Sequence, residues 1–146
     1  ACDILFGDSS PLYTRLYEEG KLNGGGGAGF DILPGAAYLY VSAETDYPKE
    51  VHAAVTAEAK RLVEEGIDED YYQRIRRSIY GNLIRGLNSF ENISANIADG
   101  CFHGYDYFTF PEVFASITKA DVEAFLRENI TEERTAAVLL YPKEGT

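Results

Sequence analysis

The sequence predicts an α+β fold, with an antiparallel or mixed β-sheet packed against several α-helices. Three observations predict it. The apolar pattern reads helix, two strands, several helices, one strand, an irregular order that favours α+β over a doubly wound parallel sheet. The length of 146 residues suits one domain with a single core. Hydrophobic residues make up 45% of the chain and aromatic residues 13%, which is too apolar for a disordered polypeptide.

Element by element, Ser9-Ser10-Pro11 reads as a helix start, because a Ser hydroxyl can accept an orphan N–H and Pro sacrifices no bond at the first helical position. Leu12, Tyr13, Leu16 and Tyr17 then form a stripe, which predicts a short helix over 11–19 closed by Gly20. The run Gly24 to Gly29 reads as a mobile loop, since each Gly adds backbone entropy to be lost on ordering. Phe30 to Leu33 and Ala36 to Ala43 read as two strands around a Pro34-Gly35 turn.

Pro48 opens a helix whose apolar positions Val51, Ala54, Val55, Leu62 and Val63 continue until Gly66 stops it. Asp68 caps the next, with Ile67 and Tyr72 as a hydrophobic staple and Ile75, Ile79 and Leu83 extending the stripe to about Leu87. Ser89 caps a helix carrying Ile93, Ile97 and Cys101, which Gly100 and Gly104 bring to its end. Pro111 marks the first turn of a short helix, and Thr118-x-x-Asp121 forms a capping box ahead of Val122, Phe125 and Leu126, which face a core. Alternation over residues 135–141 predicts a last strand, ended by Pro142.

Composition restricts function. Thirteen Lys and Arg against 24 Asp and Glu give a net charge of −11, which repels a phosphate backbone and argues against nucleic acid. No apolar run reaches the roughly 18 to 20 residues that span a bilayer, so no membrane partner is expected. Cys2 and Cys101 are too few for a disulfide scaffold, which points to a reducing, cytoplasmic setting. The chain holds no Met and begins at Ala1 just before the apolar run Ile4-Leu5-Phe6, so it reads as a piece of a longer polypeptide whose upstream segment supplies further strands.

Catalytic motifs are missing from the sequence. His52 and His103 stand in neither H-E-x-x-H nor H-x-x-E-H, so no metal site is read here and no cofactor is expected in this chain. Cys101, His103 and Asp106 could ligate a metal only if a loop folded around it. The glycine run leaves a helix and enters a strand, the reverse of a phosphate-binding loop. No serine sits in a nucleophile elbow, and the paired acids lie at helix ends, where charge is normally solvated. One segment opposes the overall charge: Arg74, Arg76, Arg77 and Arg85 lie between Gln73 and Arg85 with no acid among them and with Tyr80 nearby. Arg and Tyr suit recognition of peptide or carboxylate, which makes Arg74, Arg77, Tyr80 and Arg85 the candidate peptide- or partner-binding residues. The competing reading is a solvated helix face paired with neighbouring acids.

Three segments carry a resemblance. Ser9-Ser10-Pro11-Leu12-Tyr13-x-x-Leu16-Tyr17-Glu18-Glu19-Gly20-x-Leu22 is similar to the S-S-x-L-x-x-x-L-x-E-x-G-L segment of the pitrilysin or insulinase (M16) zinc metallopeptidases. Leu83 to Ser89 followed by Glu91-Asn92-Ile93-Ser94 resembles the R-x-L-x-S/x-P-E-x-I-A region of bacterial members, and Thr118 to Val122 resembles the family's I-T-x-x-D-V signature. The resemblance implies an M16/LuxS-like metallohydrolase half-domain, N-terminally truncated, with residues 1–146 forming a single C-terminal half-domain. It also implies that zinc belongs to the N-terminal half of the parent, where H-x-x-E-H holds the ion that activates water and the motif Glu acts as base. The later half is then a non-catalytic wall of the peptide-binding chamber. Its partners are the N-terminal half-domain of the same parent or a paired M16-like subunit, together with a peptide substrate.

Many members supply an Arg and a Tyr from L-R-x-x-x-x-L-x-Y in this half. Leu16 and Leu22 match that pattern, but Tyr17 stands in the Arg place and Gly24 in the Tyr place. This departure fits a parent whose paired subunit supplies the Arg and Tyr, or a member without peptidase activity; the first is preferred. The rival reading from another class is a free-standing acidic α+β interaction module that binds through the segment from Arg74 to Arg85. A hydrolase built from acids and His103 is the third.

Overall fold

The computed structural model describes residues 1–33 and 35–141. They divide into two compact units, the first joining residues 1–66 to the segment from Glu123 onward, the second spanning Ile67–Val122.

The first unit is built on a short apolar helix, α1 (Cys2–Phe6), in which Ile4, Leu5 and Phe6 are all buried. Asp3 keeps one side of α1 in water, and its apolar side chains lie against α2 (Pro11–Glu18), β1 (Gly26–Leu33), β2 (Ala36–Ala43) and α3 (Pro48–Glu65). In α2 the Ser10 hydroxyl accepts from the Tyr13 N–H at 3.1 Å, Pro11 occupies the first turn, and Leu12 and Leu16 are buried. Gly20 ends the helix with φ 67°, while the Lys21 N–H returns to the Leu16 carbonyl at 2.9 Å. The Phe6 ring meets Tyr13 edge-on at 5.4 Å. In α3 the two oxygens of the nearly buried Glu58 accept from Arg61 at 2.7 and 3.0 Å, and a further Arg61 nitrogen donates to Glu65 at 2.9 Å, so the guanidinium is held firmly charged.

Two expectations in this unit are corrected. The glycine run is not a loop throughout: Gly26 to Gly29 form the first half of β1, antiparallel to β2 with Gly26 opposite Ala43 and Gly29 opposite Tyr40. The ladder supplies what side chains cannot. At Gly26 a Cβ would fall 2.9 Å from the Ser42 carbonyl oxygen, so the strands come closer there than a side chain permits. Residues 135–141 form no strand. Alternation assigns faces, but a strand exists only where its N–H and C=O groups find a ladder, and the sheet of the described residues has two strands, β1 and β2. Val138, Leu140 and Tyr141 are accordingly exposed. Pro34 and Pro142, read as turn and terminator, lie outside the described residues.

The second unit contains α4 (Glu69–Gly86), α5 (Phe90–His103), a 3₁₀ turn (Tyr107–Thr109) and α6 (Phe110–Ser116); α7 (Lys119–Asn129) begins in it. Its caps follow the sequence. Asp68 accepts from the Tyr71 N–H at 2.8 Å and Ser89 from the Asn92 N–H at 3.2 Å, while Gly104 takes φ 78° after α5. At the start of α7, Asp121 accepts from both the Thr118 N–H (2.8 Å) and its hydroxyl (2.7 Å), and these bonds hold the Asp121 carboxyl below the usual aspartate range. Tyr72 and Ile75 are buried along α4, whereas Ile97 and Cys101 on α5 are exposed.

Two helical glycines predict opposite outcomes. A Cβ at Gly100 would lie 2.5 Å from the Tyr105 carbonyl oxygen, so Gly100→Ala should destabilise the chain by about 1–3 kcal/mol. A Cβ at Gly81 would meet nothing within 4 Å, so Gly81→Ala should stabilise α4 by about 0.5–1 kcal/mol. Urea denaturation of the two variants checks both signs.

Candidate functional site

The candidate residues all lie on α4, and its helical period separates them into two sets. At 100° per residue, Tyr72, Ile75, Arg76 and Ile79 fall on one side, and Arg74, Arg77, Gly81 and Arg85 on the other. The first set is structural. The Tyr72 hydroxyl donates to the Ile117 carbonyl at 3.0 Å, and an Arg76 nitrogen donates to the Phe114 and Ala115 carbonyls at 3.2 and 3.1 Å. Arg76 therefore closes the C-terminal end of α6, where orphan carbonyls and the negative end of the helix dipole favour a cation. Its guanidinium also lies 5.3 Å from the Phe114 ring centroid, and its buried Nε meets no hydrogen-bond partner among the described residues. Tyr80 shares this work: its ring packs 5.4 Å from Phe114 while part of it remains exposed.

The second set faces water. The Arg74 guanidinium rests 5.2 Å from the Tyr71 ring centroid. The Arg77 Nε donates to the Gln73 carbonyl at 3.1 Å. Arg85 lies back along the helix, with Nε donating to the Gly81 carbonyl at 3.4 Å and Nη2 to Asn82 Oδ1 at 2.7 Å. Among the described residues no ion pair joins any of these three to a carboxylate. The face is solvated, as the competing reading expects, but without the ion pairs to neighbouring acids that it also expects. An open cleft of about 600 Å³ lies at the N-terminal half of this face, lined by Asp68, Asp70, Tyr71, Arg74 and Arg77. The structure therefore keeps Arg74, Arg77 and Arg85 on one face and sets Tyr80 apart in the contact with Phe114. The role of Arg76 was hidden among its neighbours, although its place in the apolar stripe of Tyr72 and Ile75 distinguishes it.

Catalytic chemistry finds no comparable arrangement. Among the described residues no group of three or more His, Cys, Asp or Glu side chains comes together to hold a metal. His103 Nδ1 stays with Asp99, 3.0 Å from its carboxylate, and Asp106 accepts from the Phe108 N–H at 2.9 Å. Tyr17 projects from α2, mostly exposed, and Gly24 lies two residues before β1, so the places of the related pattern hold neither its Arg nor its Tyr. No helix of the described residues is long and apolar enough to cross a membrane.

With this geometry in place, comparison with known proteins is decisive. The family profile described as "Peptidase M16 inactive domain" matches residues 1–79, more than half of the chain. The chain belongs to the peptidase M16 inactive-domain family. It is 26% identical over 141 residues to the "Uncharacterized zinc protease YmfH" of Bacillus subtilis (strain 168), covering 97% of this chain and 33% of that protein. Its fold matches the crystal structure of a protein described as a putative M16-like peptidase from Alicyclobacillus acidocaldarius, with a TM-score of 0.80 and 23% identity over 87% of this chain and 31% of the other. The α+β expectation is therefore met, and the chain spans about a third of the length of both relatives.

The division of labour on α4 yields a prediction. Arg76→Ala leaves the end of α6 without its donor and should destabilise the chain by about 1–3 kcal/mol, whereas Arg77→Ala should change stability by less than about 0.5 kcal/mol. Thermal unfolding followed by circular dichroism checks the contrast.

Proposed function

We propose that the chain is the non-catalytic C-terminal half-domain of an M16-like zinc metallopeptidase, a segment of a longer polypeptide that forms part of the wall of a peptide-binding chamber. The observation that carries this reading is the match to the inactive M16 domain in a chain that spans a third of its relatives. The relative's name, a zinc protease, supports placing zinc in the remainder of the parent. In this reading the partner is the N-terminal half of the same parent or a paired M16-like subunit, and the substrate is a peptide held in the cytoplasm. Two free cysteines, Cys2 and Cys101, agree with a reducing compartment. The chain contributes shape and charge: among the water-facing side chains on α4 are Arg74, Arg77 and Arg85, with Tyr80 at the border.

The test is reconstitution. Co-expressed with the rest of its parent, the chain should co-elute with it in one-to-one stoichiometry, and the pair should hydrolyse a peptide that neither part cleaves alone. Separate elution, or full hydrolysis by the remainder alone, would contradict the proposal.

A further inference from the structure

We infer that the Arg77–Gly81–Arg85 face of α4 binds an acidic peptide segment through its carboxylates. The inference rests on the reading that this chain faces a peptide, and it names the class of that peptide. Three observations carry it. First, Arg77 and Arg85 are exposed and, among the described residues, form no ion pair, although the chain carries 24 acids. Residues 71–90 contain four Arg and no acid, and the α4 carboxylate that shares this face, Asp70, stands at the start of the helix in the cleft with Arg74 and Arg77. A guanidinium offers a planar fork of donors that matches a carboxylate bidentately.

Second, Gly81 stands between the two arginines in the middle of an 18-residue helix, where glycine weakens the helix relative to alanine. Nothing in the fold requires it, because an added Cβ meets no atom within 4 Å, and this includes the Arg85 side chain that bonds the Gly81 carbonyl. A bare backbone flanked by two free cations is a floor onto which another chain can settle closely.

Third, charge selects the occupant. Two copies of a chain of charge −11 repel one another, and a polyphosphate meets the same field over its whole length. A short peptide with two carboxylates carries far less charge against that field, and both of its charges fall beside a guanidinium. Eight residues of helix set Arg77 and Arg85 about 12 Å apart, close to the roughly 13 Å between residues i and i+4 of an extended chain. Asp68 and Asp70 share the cleft with Arg77, so of the two ligand carboxylates the one at Arg85 meets less opposition.

The experiment titrates the chain into a fluorescent, terminally blocked octapeptide containing Glu-Ser-Ser-Ser-Glu, at low ionic strength, with anisotropy as the readout. The Gln-for-Glu peptide should bind at least about tenfold more weakly. Arg77→Gln and Arg85→Gln should each weaken binding of the acidic peptide about fivefold, as expected when one exposed ion pair is lost. Gly81→Leu should abolish binding with helicity unchanged by circular dichroism, which guards against loss of folding as the cause. Equal binding of the Gln peptide, unaltered binding by the double Arg variant, or displacement of the peptide by a lower concentration of oligothymidylate would each overturn the inference. If the Gln peptide binds equally well while reconstitution with the parent succeeds, the acidic specificity falls and the chamber-wall reading stands.

Discussion

Burial of Ile4, Leu5 and Phe6 is the constraint on which the first unit depends. A helix of five residues has no stability of its own in water, so α1 exists only because these side chains leave solvent, each gaining roughly 1.5–3 kcal/mol by full burial. Its position between β1, β2, α2 and α3 makes it their common neighbour. The glycine-rich half of β1 has almost no side-chain surface to contribute, so its order derives from the ladder with β2 and from the packing beneath it. Phe30, further along β1, then meets Phe125 of α7 at 6.0 Å, which ties the sheet to the returning helix of the same unit.

The second unit depends on α4 in a different way. One side of the helix binds α6 through hydrogen bonds from Tyr72 and Arg76 and ring contact from Tyr80, which uses charge and aromatic surface internally. On the other side three arginines face water, Arg77 and Arg85 hydrogen-bonded within the helix and Arg74 lying over the Tyr71 ring. Asp70 shares the N-terminal end of this face, but from Arg74 to Arg85 the helix holds no acid, so a chain of net charge −11 carries a local concentration of positive charge there.

Much of this was legible in the residues. Ser10, Asp68, Ser89 and Asp121 act as caps because short polar side chains at those places satisfy N–H groups that no helix can satisfy itself. The helices they open follow. The entry of the glycine run into β1 was not legible, since local entropy argues against it and the deciding partner, β2, acts through the backbone. The segment 135–141 shows the converse: Val138 and Leu140 have strand-like alternation, but no ladder receives them among the described residues. On α4 the type of residue pointed to recognition, while contact decided which residues were free for it. The carbonyls of α6 that Arg76 meets lie 38 and 39 residues along the chain, and no local pattern announces that meeting or the one between Tyr80 and Phe114.

The proposed non-catalytic role joins family membership to the finding that, among the described residues, no group of three or more His, Cys, Asp or Glu side chains comes together to hold a metal. Zinc content is the direct test: the purified chain is exposed to excess zinc at neutral pH, dialysed, and analysed by plasma mass spectrometry. The account predicts no stoichiometric metal. One zinc retained per chain and lost on His103→Ala would contradict it.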